Sequence, residues 1–297
     1  MIFWPSPAKI NLFFRVNKKR EDGYHEIQTL YHFLNYGDTI GINERRDEKI
    51  KLLYNSKFKG LIKNNLILQA ASLFQKYCMN NFPEKKFSGV NIYVKKVLPI
   101  GSGLGGGSSN AATTLVALNY HWRTKISKRI LCSISSNLGA DVPFFVNGKT
   151  SIGEGIGQNL HPIQIIPKWY LIAYPKVSVS TKEIFKKLNL KKISDRIPRE
   201  ILLNNKYQND LEEFVKHSFP EVKKCINWFK KKSLSPIMTG TGSCIFVQFS
   251  SKSDALKILK SIPKWMECFV AEGANDSPLY TFKSYIMKEK FKREDHI

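Results

Sequence analysis

Five glycines lie within residues 97–110, which read VLPIGSGLGGGSSN, between an apolar run and a polar triplet. Glycine loses much conformational entropy on folding, so this density indicates a backbone that bends sharply or closely approaches a ligand. A strand-like segment precedes the loop, and the helix-forming segment NAATTLVALNYHW follows it. That order directs free backbone N–H groups and the positive end of a helix dipole at one place. Such an arrangement is suited to phosphate.

Three known phosphate-binding motifs compete for this loop. Gly101, Gly103 and Gly106 fit the GxGxxG dinucleotide fingerprint. That fingerprint also needs an acidic residue about 20 positions later, and residues 107–140 contain no Asp or Glu. A Walker loop needs Gly-Lys-Ser/Thr, whereas Gly107 is followed by two serines. Protein kinases carry HRD and DFG tripeptides, which do not occur here.

The loop ends in short polar residues that can cap the following helix and add hydroxyl donors, namely Ser108, Ser109 and Asn110. A flexible linker would not lie between a hydrophobic strand and a well-formed helix. We therefore expect the loop to bind phosphate, by a motif other than these three.

A lysine and an amide occur together near the beginning of the chain, in PSPAKINLFFRV. Ala8, Ile10 and Leu12 alternate with Lys9 and Asn11, which is typical of a strand with one apolar face. The pattern predicts that the ammonium and the amide lie side by side, away from the core.

If a phosphate bound at the loop were transferred, the reaction would need positioning, charge neutralisation and one group that handles the proton of the acceptor hydroxyl. Asp141, in GADVP, is the first acid after the glycine loop. On the residues alone, a catalytic carboxylate and one that shapes the turn before Pro143 are equally open. A cation such as Lys9 would keep the carboxylate ionised and stabilise the transferring group, although a solvated surface lysine is the default in a basic chain.

The elements that position these groups alternate irregularly. IQTLYHFL and DTIGI read as two strands, SGVNIYVKKVLP as another, and GADVPFFVNGKTSIGEGIGQNL as turns and short strands. A second set of strands and helices begins near residue 168, after His161-Pro162 and Pro167. The mixture predicts an α+β fold, because regular βαβ alternation is lacking. It also predicts two domains, at residues 1–163 and 164–297.

PIGSGLGGGSSNAA resembles the ATP-phosphate loop of the GHMP kinases, a family that includes galactokinases and the homoserine, mevalonate and phosphomevalonate kinases. PSPAKINL and PIMTGTGSCIF are similar to the family's N-terminal and C-terminal motifs. Thr239 and Thr241 depart from the usual serines of the C-terminal motif but keep the hydroxyls. The resemblance implies an N-terminal domain like ribosomal protein S5 domain 2, a ferredoxin-like C-terminal domain, and an active site in the cleft between them.

The resemblance also implies the roles of individual residues. Asp141 is expected to accept the hydroxyl proton, with Lys9 as its catalytic partner. The residues expected to bind ATP are Pro99, Ile100, Gly101, Ser102, Gly103, Leu104, Gly105, Gly106, Gly107, Ser108, Ser109, Asn110 and Asn65. The residues expected to bind the substrate are Asn11, Tyr24, His25, Thr181, Phe185, Gly240, Thr241 and Gly242. ATP chemistry implies Mg²⁺, whose protein ligands cannot be identified from the sequence beyond a guess at Ser108.

Within the family, DGYHEIQTL, NNLILQAA and GADVPFFV are similar to the branch that phosphorylates the 2-hydroxyl of a cytidine diphosphate conjugate of methylerythritol. Tyr24 and His25 would form the cytidine pocket, and Phe185 would close the other face of the base. A small-molecule kinase of another branch, such as a homoserine kinase, is the nearest alternative. It would need no base-stacking aromatic residues.

The chain has 297 residues and a formal net charge of +23. A nucleic-acid-binding protein is the alternative from another class, but the lysines are scattered and form no known module. We therefore expect no nucleic-acid partner. MIFWPSPAK lacks the features of a secretory signal, and five scattered cysteines suggest neither zinc nor a disulfide framework. A cytoplasmic monomer or homodimer without a membrane partner is expected.

Overall fold

The computed structural model describes residues 1–54, 65–187, 195–203 and 207–294, and the fold is given for these residues. It is α+β, as the sequence predicts. The described strands form one connected sheet of ten strands. They are β1 Ile2–Lys19, β2 His25–Glu44, β3 Ile50–Tyr54, β4 Val90–Lys95, β5 Ser151–Glu154, β6 Asn159–Pro162, β7 Trp169–Tyr174, β8 Ile237–Met238, β9 Ile245–Phe249 and β10 Glu267–Ala274.

The helices of the described residues cover the faces of this sheet. They are α1 Leu66–Asn81, α2 Gly106–His121, α3 Lys128–Ser135, α4 Val142–Asn147, α5 Thr181–Lys187, α6 Arg199–Leu202, α7 Glu212–Ser218, α8 Pro220–Lys230, α9 Lys252–Leu259 and α10 Pro278–Glu294. Among the residues described, no helix combines the length and the apolar character that a membrane crossing requires.

The first two strands form a long antiparallel hairpin. β2 is continuous where the sequence analysis expected two strands, so that expectation was wrong. Gly37 lies where the two were thought to separate, and a Cβ there would collide with the backbone of Ser6 and Pro7 on β1. The glycine therefore marks a close approach of two strands, which in sequence looks like a turn.

The chain's two halves share the sheet. β10 pairs with β7 along most of its length, and its last residues, Gly273 and Ala274, pair with Leu34 and Phe33 of β2. Helix α10 follows β10 and packs against the apolar cluster of the N-terminal half. The predicted domain boundary at residues 163 and 164 stays a prediction.

β1 is buried on both faces. Ala8, Ile10 and Leu12 are buried in a cluster between the halves, as the alternation predicts. Lys9 and Asn11 are buried too, at 4% and 1% exposure, so the expectation that they lie away from the protein interior was wrong. Alternation identifies two faces of a strand, but it cannot tell that a polar face is covered by other parts of the chain.

The segment VPFFVN, expected to be turns and short strands, is helix α4. Pro143 occupies its first turn, where the fixed φ of proline favours a helix. Gly148 ends the helix in the left-handed conformation. This short helix matters because Asp141 immediately precedes it.

Candidate active site

The glycine loop connects β4 to the beginning of α2. Gly101, Gly103 and Gly105 all have positive φ, a conformation that glycine adopts without strain. At Gly103 a side chain would also collide with the carbonyl oxygen of Thr239. The loop therefore packs backbone against backbone on the C-terminal glycine motif, which no residue with a side chain could do.

Helix α2 begins without a side-chain cap, because its N-cap is Gly105. The expectation that the polar triplet caps the helix was therefore wrong. Ser109 and Asn110 lie one turn inside α2. The hydroxyl of Ser6 donates to the side-chain oxygen of Asn110 at 2.6 Å and shares a hydrogen bond of 3.0 Å with the hydroxyl of Ser109. The first turn contains no acidic side chain, and the first N–H groups of an α-helix have no partner within the helix.

The rest of the loop is fastened to its surroundings. Leu104 is buried and its carbonyl accepts a hydrogen bond from the backbone N–H of Lys9, at 3.0 Å. The hydroxyl of Ser102 donates to the carbonyl of Pro99, at 2.8 Å. Ile100 is half exposed at the outer edge. A backbone hydrogen bond thus attaches the loop to β1, the strand that carries Lys9.

A buried carboxylate fixes the point where the chain enters the loop. Asp38, 2% exposed, accepts hydrogen bonds from the Lys96 ammonium at 2.6 Å and from the N–H groups of Val97 and Leu98 at 2.8 and 2.9 Å. The Lys96 nitrogen lies beside Gly106, the first residue of α2. Sequence reasoning missed Asp38 and Lys96, which are 58 residues apart.

Lys9 and Asp141 come together across 132 residues of sequence. The Lys9 ammonium lies 3.3 Å from one carboxylate oxygen of Asp141, and the hydroxyl of Tyr31 donates to the other at 3.0 Å. Burial and the nearby carboxylate raise the pKa of Tyr31 well above its usual value, so the phenol keeps its proton. The Asp141 side chain is 30% exposed. It can therefore reach an incoming hydroxyl while both oxygens stay oriented.

Asn11 orients the lysine. Its side-chain oxygen accepts a hydrogen bond from the Lys9 ammonium at 2.6 Å, and its NH₂ group donates to the hydroxyl of Thr29 at 2.8 Å. The Thr29 hydroxyl in turn donates to the carbonyl of Phe13 at 2.7 Å. This chain of donors fixes which side of the amide faces Lys9. Neither Tyr31 nor Thr29 was identified from the sequence.

The C-terminal glycine motif lies against this pair. The hydroxyl of Thr239 accepts a hydrogen bond from the backbone N–H of Asn11, at 2.8 Å. A Cβ on Gly240 would lie 3.0 Å from the Asn11 side-chain oxygen and 3.4 Å from the Lys9 nitrogen. The hydroxyls of Thr181 and Thr241 share a hydrogen bond of 2.9 Å. Of the expected substrate residues, Gly240 thus lies beside Lys9 and Asn11, and Gly242 lies against Gly103 of the glycine loop.

The aromatic residues are arranged differently from the expected base sandwich. His25 is 5% exposed, and its ring stacks directly on that of Phe185, with centroids 5.0 Å apart. Neither ring nitrogen of His25 has a hydrogen-bond partner in the structure. Tyr24 is 59% exposed. A base therefore cannot lie between His25 and Phe185 in this arrangement.

Asn65 caps α1, its side-chain oxygen accepting the N–H of Ile67 at 2.8 Å. Leu66, its neighbour, lies beside Gly107 in the first turn of α2, so Asn65 borders the expected ATP site. No group of three or more His, Cys, Asp or Glu side chains able to hold a metal occurs in the described part of the chain. Ser108 lies in the first turn of α2, where the phosphates are expected.

Comparison with known proteins agrees with this geometry. Residues 65–149 match the family description "GHMP kinases N terminal domain", and residues 188–268 match "GHMP kinases C terminal". The chain belongs to the GHMP kinase family. It is an ATP-dependent kinase of small molecules, as the sequence predicted.

Individual relatives narrow the comparison. A 4-diphosphocytidyl-2-C-methyl-D-erythritol kinase of Buchnera aphidicola subsp. Schizaphis graminum (strain Sg) is 45% identical over 277 residues, which is 93% of this chain and 94% of that protein. A crystal structure of 4-(cytidine 5'-diphospho)-2C-methyl-D-erythritol kinase matches with a TM-score of 0.76 and 28% identity, covering 92% of this chain and 99% of that one. A mevalonate kinase matches at 16% identity with a TM-score of 0.62, over 93% of this chain and 100% of the other, which shows the shared fold alone.

Proposed function

We propose that the protein transfers the γ-phosphoryl group of ATP to the 2-hydroxyl of 4-diphosphocytidyl-2-C-methyl-D-erythritol, giving the 2-phosphate and ADP. This reaction belongs to the non-mevalonate, or methylerythritol phosphate, route of isoprenoid biosynthesis. The observation that carries the assignment is the 45% identity to a kinase named for that substrate, over nearly the whole of both chains. The pairing of Lys9 with Asp141 beside an uncapped helix supports it.

The geometry accounts for each step of the transfer. The N–H groups of the glycine loop and of the first turn of α2 hold the ATP phosphates. Asp141 accepts the proton of the 2-hydroxyl while the hydroxyl oxygen bonds to the γ-phosphorus. The bond between the γ-phosphorus and the oxygen of the β-phosphate breaks, and ADP leaves. Lys9 stabilises the charge on the transferring group. Tyr31 and Asn11 keep the carboxylate and the ammonium aligned through the hydrogen bonds described above.

Mg²⁺ belongs to this proposal. The described residues offer no carboxylate cluster. An ion at this site would therefore be held mainly by ATP phosphate oxygens, and the hydroxyl of Ser108 would be its protein contact. Bound there, the ion would neutralise phosphate charge. The protein's own groups perform the proton transfer.

The cytidine end of the substrate is assigned to the aromatic residues. The unpaired ring nitrogens of His25 are suited to hydrogen-bond the polar edge of a pyrimidine, and Tyr24 and Phe185 supply aromatic faces. These residues favour the cytidyl substrate over a small amino acid such as homoserine. No observation favours a nucleic-acid-binding function.

An ATP-consumption assay tests the proposal with three acceptors: the cytidyl substrate, homoserine and mevalonate. Turnover with the cytidyl substrate alone is expected, and the Asp141→Asn variant purified in parallel controls for contaminating kinases. Preference for homoserine or mevalonate would refute the substrate assignment while leaving the kinase class intact.

We further propose that the protein works in the cytoplasm as a monomer or homodimer with no nucleic-acid partner, its basic surface serving to attract an anionic substrate. Gel filtration with light scattering measures the oligomeric state. Retention of DNA or RNA at physiological salt, falling steeply as salt rises, would contradict the absence of a nucleic-acid partner.

A further inference from the structure

The turn of residues 238–242, which lies against Lys9 and Asn11, accepts two hydrogen bonds from one buried amide. Asn209 is 8% exposed, and its NH₂ group donates to two carbonyl oxygens of this turn, those of Met238 and Gly240, each at 2.7 Å. Its side-chain oxygen accepts the N–H of Leu211 at 2.9 Å. Two of the partners are carbonyl oxygens that need a donor and the third is an N–H that needs an acceptor, so the amide has one orientation.

The segment that carries Asn209 is itself attached to β1. The carbonyl of Gln208 accepts the N–H of Phe14, and the N–H of Asp210 donates to the carbonyl of Phe14, both at 2.9 Å. The Asp210 carboxylate accepts the N–H of Val16, at 2.9 Å. Asn209 therefore lies between the strand that carries Lys9 and the turn that covers it.

The turn links Asn209 to both parts of the site. Gly240 has a φ of 56°, and its carbonyl is one of the two that Asn209 holds. From this position the turn contacts the N–H of Asn11 through Thr239 and packs against Gly103 of the phosphate loop. A displacement of the turn would thus change the positions of both Lys9 and the phosphate loop.

We infer that Asn209 is a positioning residue for phosphoryl transfer: it fixes the glycine turn against Lys9 and Asn11 so that the ammonium, the carboxylate of Asp141 and the phosphate loop keep their mutual geometry. The inference rests on the proposed function only for the identity of the phosphoryl acceptor. The contacts that carry it lie around Lys9 and the phosphate loop, which any acceptor would use.

The Asn209→Asp variant tests this role. The carboxylate keeps the acceptor for Leu211 but faces two carbonyl oxygens without a donor, so the turn is expected to shift. We expect kcat to fall at least tenfold, while KM for the cytidyl substrate changes less than threefold because the aromatic residues are untouched.

Asn119→Asp is the matched control. Asn119 is equally buried, at 6%, donates to the carbonyl of Ile126 at 2.9 Å, and accepts from Ile126 and Thr124. It lies near the far end of α2, about 20 Å of helix from the glycine loop. The control should lose melting temperature as Asn209→Asp does and keep kcat within twofold of wild type. Equal losses of kcat in the two variants would overturn the inference.

A double-mutant cycle covers the possibility that Asn209→Asp fails to fold. Asn209→Ala and Thr239→Val are combined, because Thr239 is the contact through which the turn reaches Asn11. If Asn209 acts through the turn, the two losses of kcat are less than multiplicative; fully multiplicative losses would refute that route. If the wild type phosphorylates another acceptor, the substrate assignment is refuted. The same variants, assayed with that acceptor, then test the role of Asn209.

Discussion

At the catalytic end of the site, formed by Lys9, Asp141 and Tyr31, both carboxylate oxygens have partners within the protein. At the aromatic end, formed by His25 and Phe185, neither ring nitrogen of the histidine has one. Buried polar atoms without partners are costly and rare in folded proteins. If the proposed function is right, the catalytic end is already ordered by the protein's own groups, whereas the polar atoms of the aromatic end would gain partners from the substrate.

Substitutions at the two ends should therefore change different kinetic constants. Loss of a catalytic group should lower kcat, because the interaction is made with the transferring phosphoryl group. Loss of an aromatic group should raise KM for the nucleoside part of the substrate, because that interaction is the same before and during the reaction. The predictions below test this division.

The largest effects are expected at Lys9 and Asp141. Lys9→Met and Asp141→Asn should each lower kcat by about a hundredfold or more, since general acid–base assistance alone contributes about 10²–10⁴. ATP should still bind in calorimetry, because the glycine loop is unchanged. Lys149→Met and Asp276→Asn remove an exposed ion pair of the same kind and should leave kcat unchanged. Near-normal turnover in Asp141→Asn would exclude it as the base.

Tyr31→Phe tests whether the alignment of Asp141 matters as well as its presence. The change removes one hydrogen bond to a carboxylate, worth about 1.5–3 kcal/mol, and keeps the ring that packs on Phe144. We expect kcat to fall by about tenfold with KM nearly constant, as measured by steady-state kinetics. Tyr285→Phe, at a position 61% exposed, is the control. A rise in KM without loss of kcat would assign Tyr31 to binding.

At the aromatic end, Phe185→Ala should raise KM for the cytidyl substrate by about tenfold, because stacking on a base is worth about 1–3 kcal/mol. KM for ATP and kcat should change little. Phe185→Leu, which keeps apolar contact but removes the aromatic face, should have an intermediate effect. If kcat falls and KM does not, the division between the two ends is wrong.

The smallest effect concerns pH. Burial, with a lesser contribution from Lys19, lowers the pKa of His25 below its usual 6.5. The neutral ring, which offers one donor and one acceptor, therefore predominates at pH 7, and protonation at lower pH removes the acceptor. KM for the cytidyl substrate should change little from pH 8 to 7 and rise a few-fold towards pH 5. His25→Gln should abolish that rise, and a KM that already changes between pH 8 and 7 would contradict the assignment.

Much of the catalytic end was accessible from the sequence because its residues lie in dense local motifs. The glycine loop, Lys9 within PAKIN and Asp141 within GADVP each stand out in a few consecutive letters. Tyr31, Thr29 and Asp38 do not, since their importance depends on partners 16 to 110 residues away. Hydrogen bonds between residues so far apart in sequence form only in the folded protein, so no local sequence pattern predicts them.

The fold was predictable to a similar degree and for similar reasons. Class and most helices follow from periodicity, but the continuity of β2 through Gly37 depends on how closely β1 passes it. The burial of Lys9 depends on the turn that covers it. Helix α10 was not predicted, because its lysine-rich sequence shows its apolar contacts only once it lies against β1.

The pairing of Gly273 and Ala274 with β2 has a consequence for biosynthesis. During translation the N-terminal strands leave the ribosome long before the strand that covers the edge at Phe33 and Leu34 has been made. The nascent polypeptide therefore carries an open sheet edge through most of its elongation, and such edges promote aggregation. Premature termination anywhere before residue 273 should give products that depend on chaperones to remain dispersed.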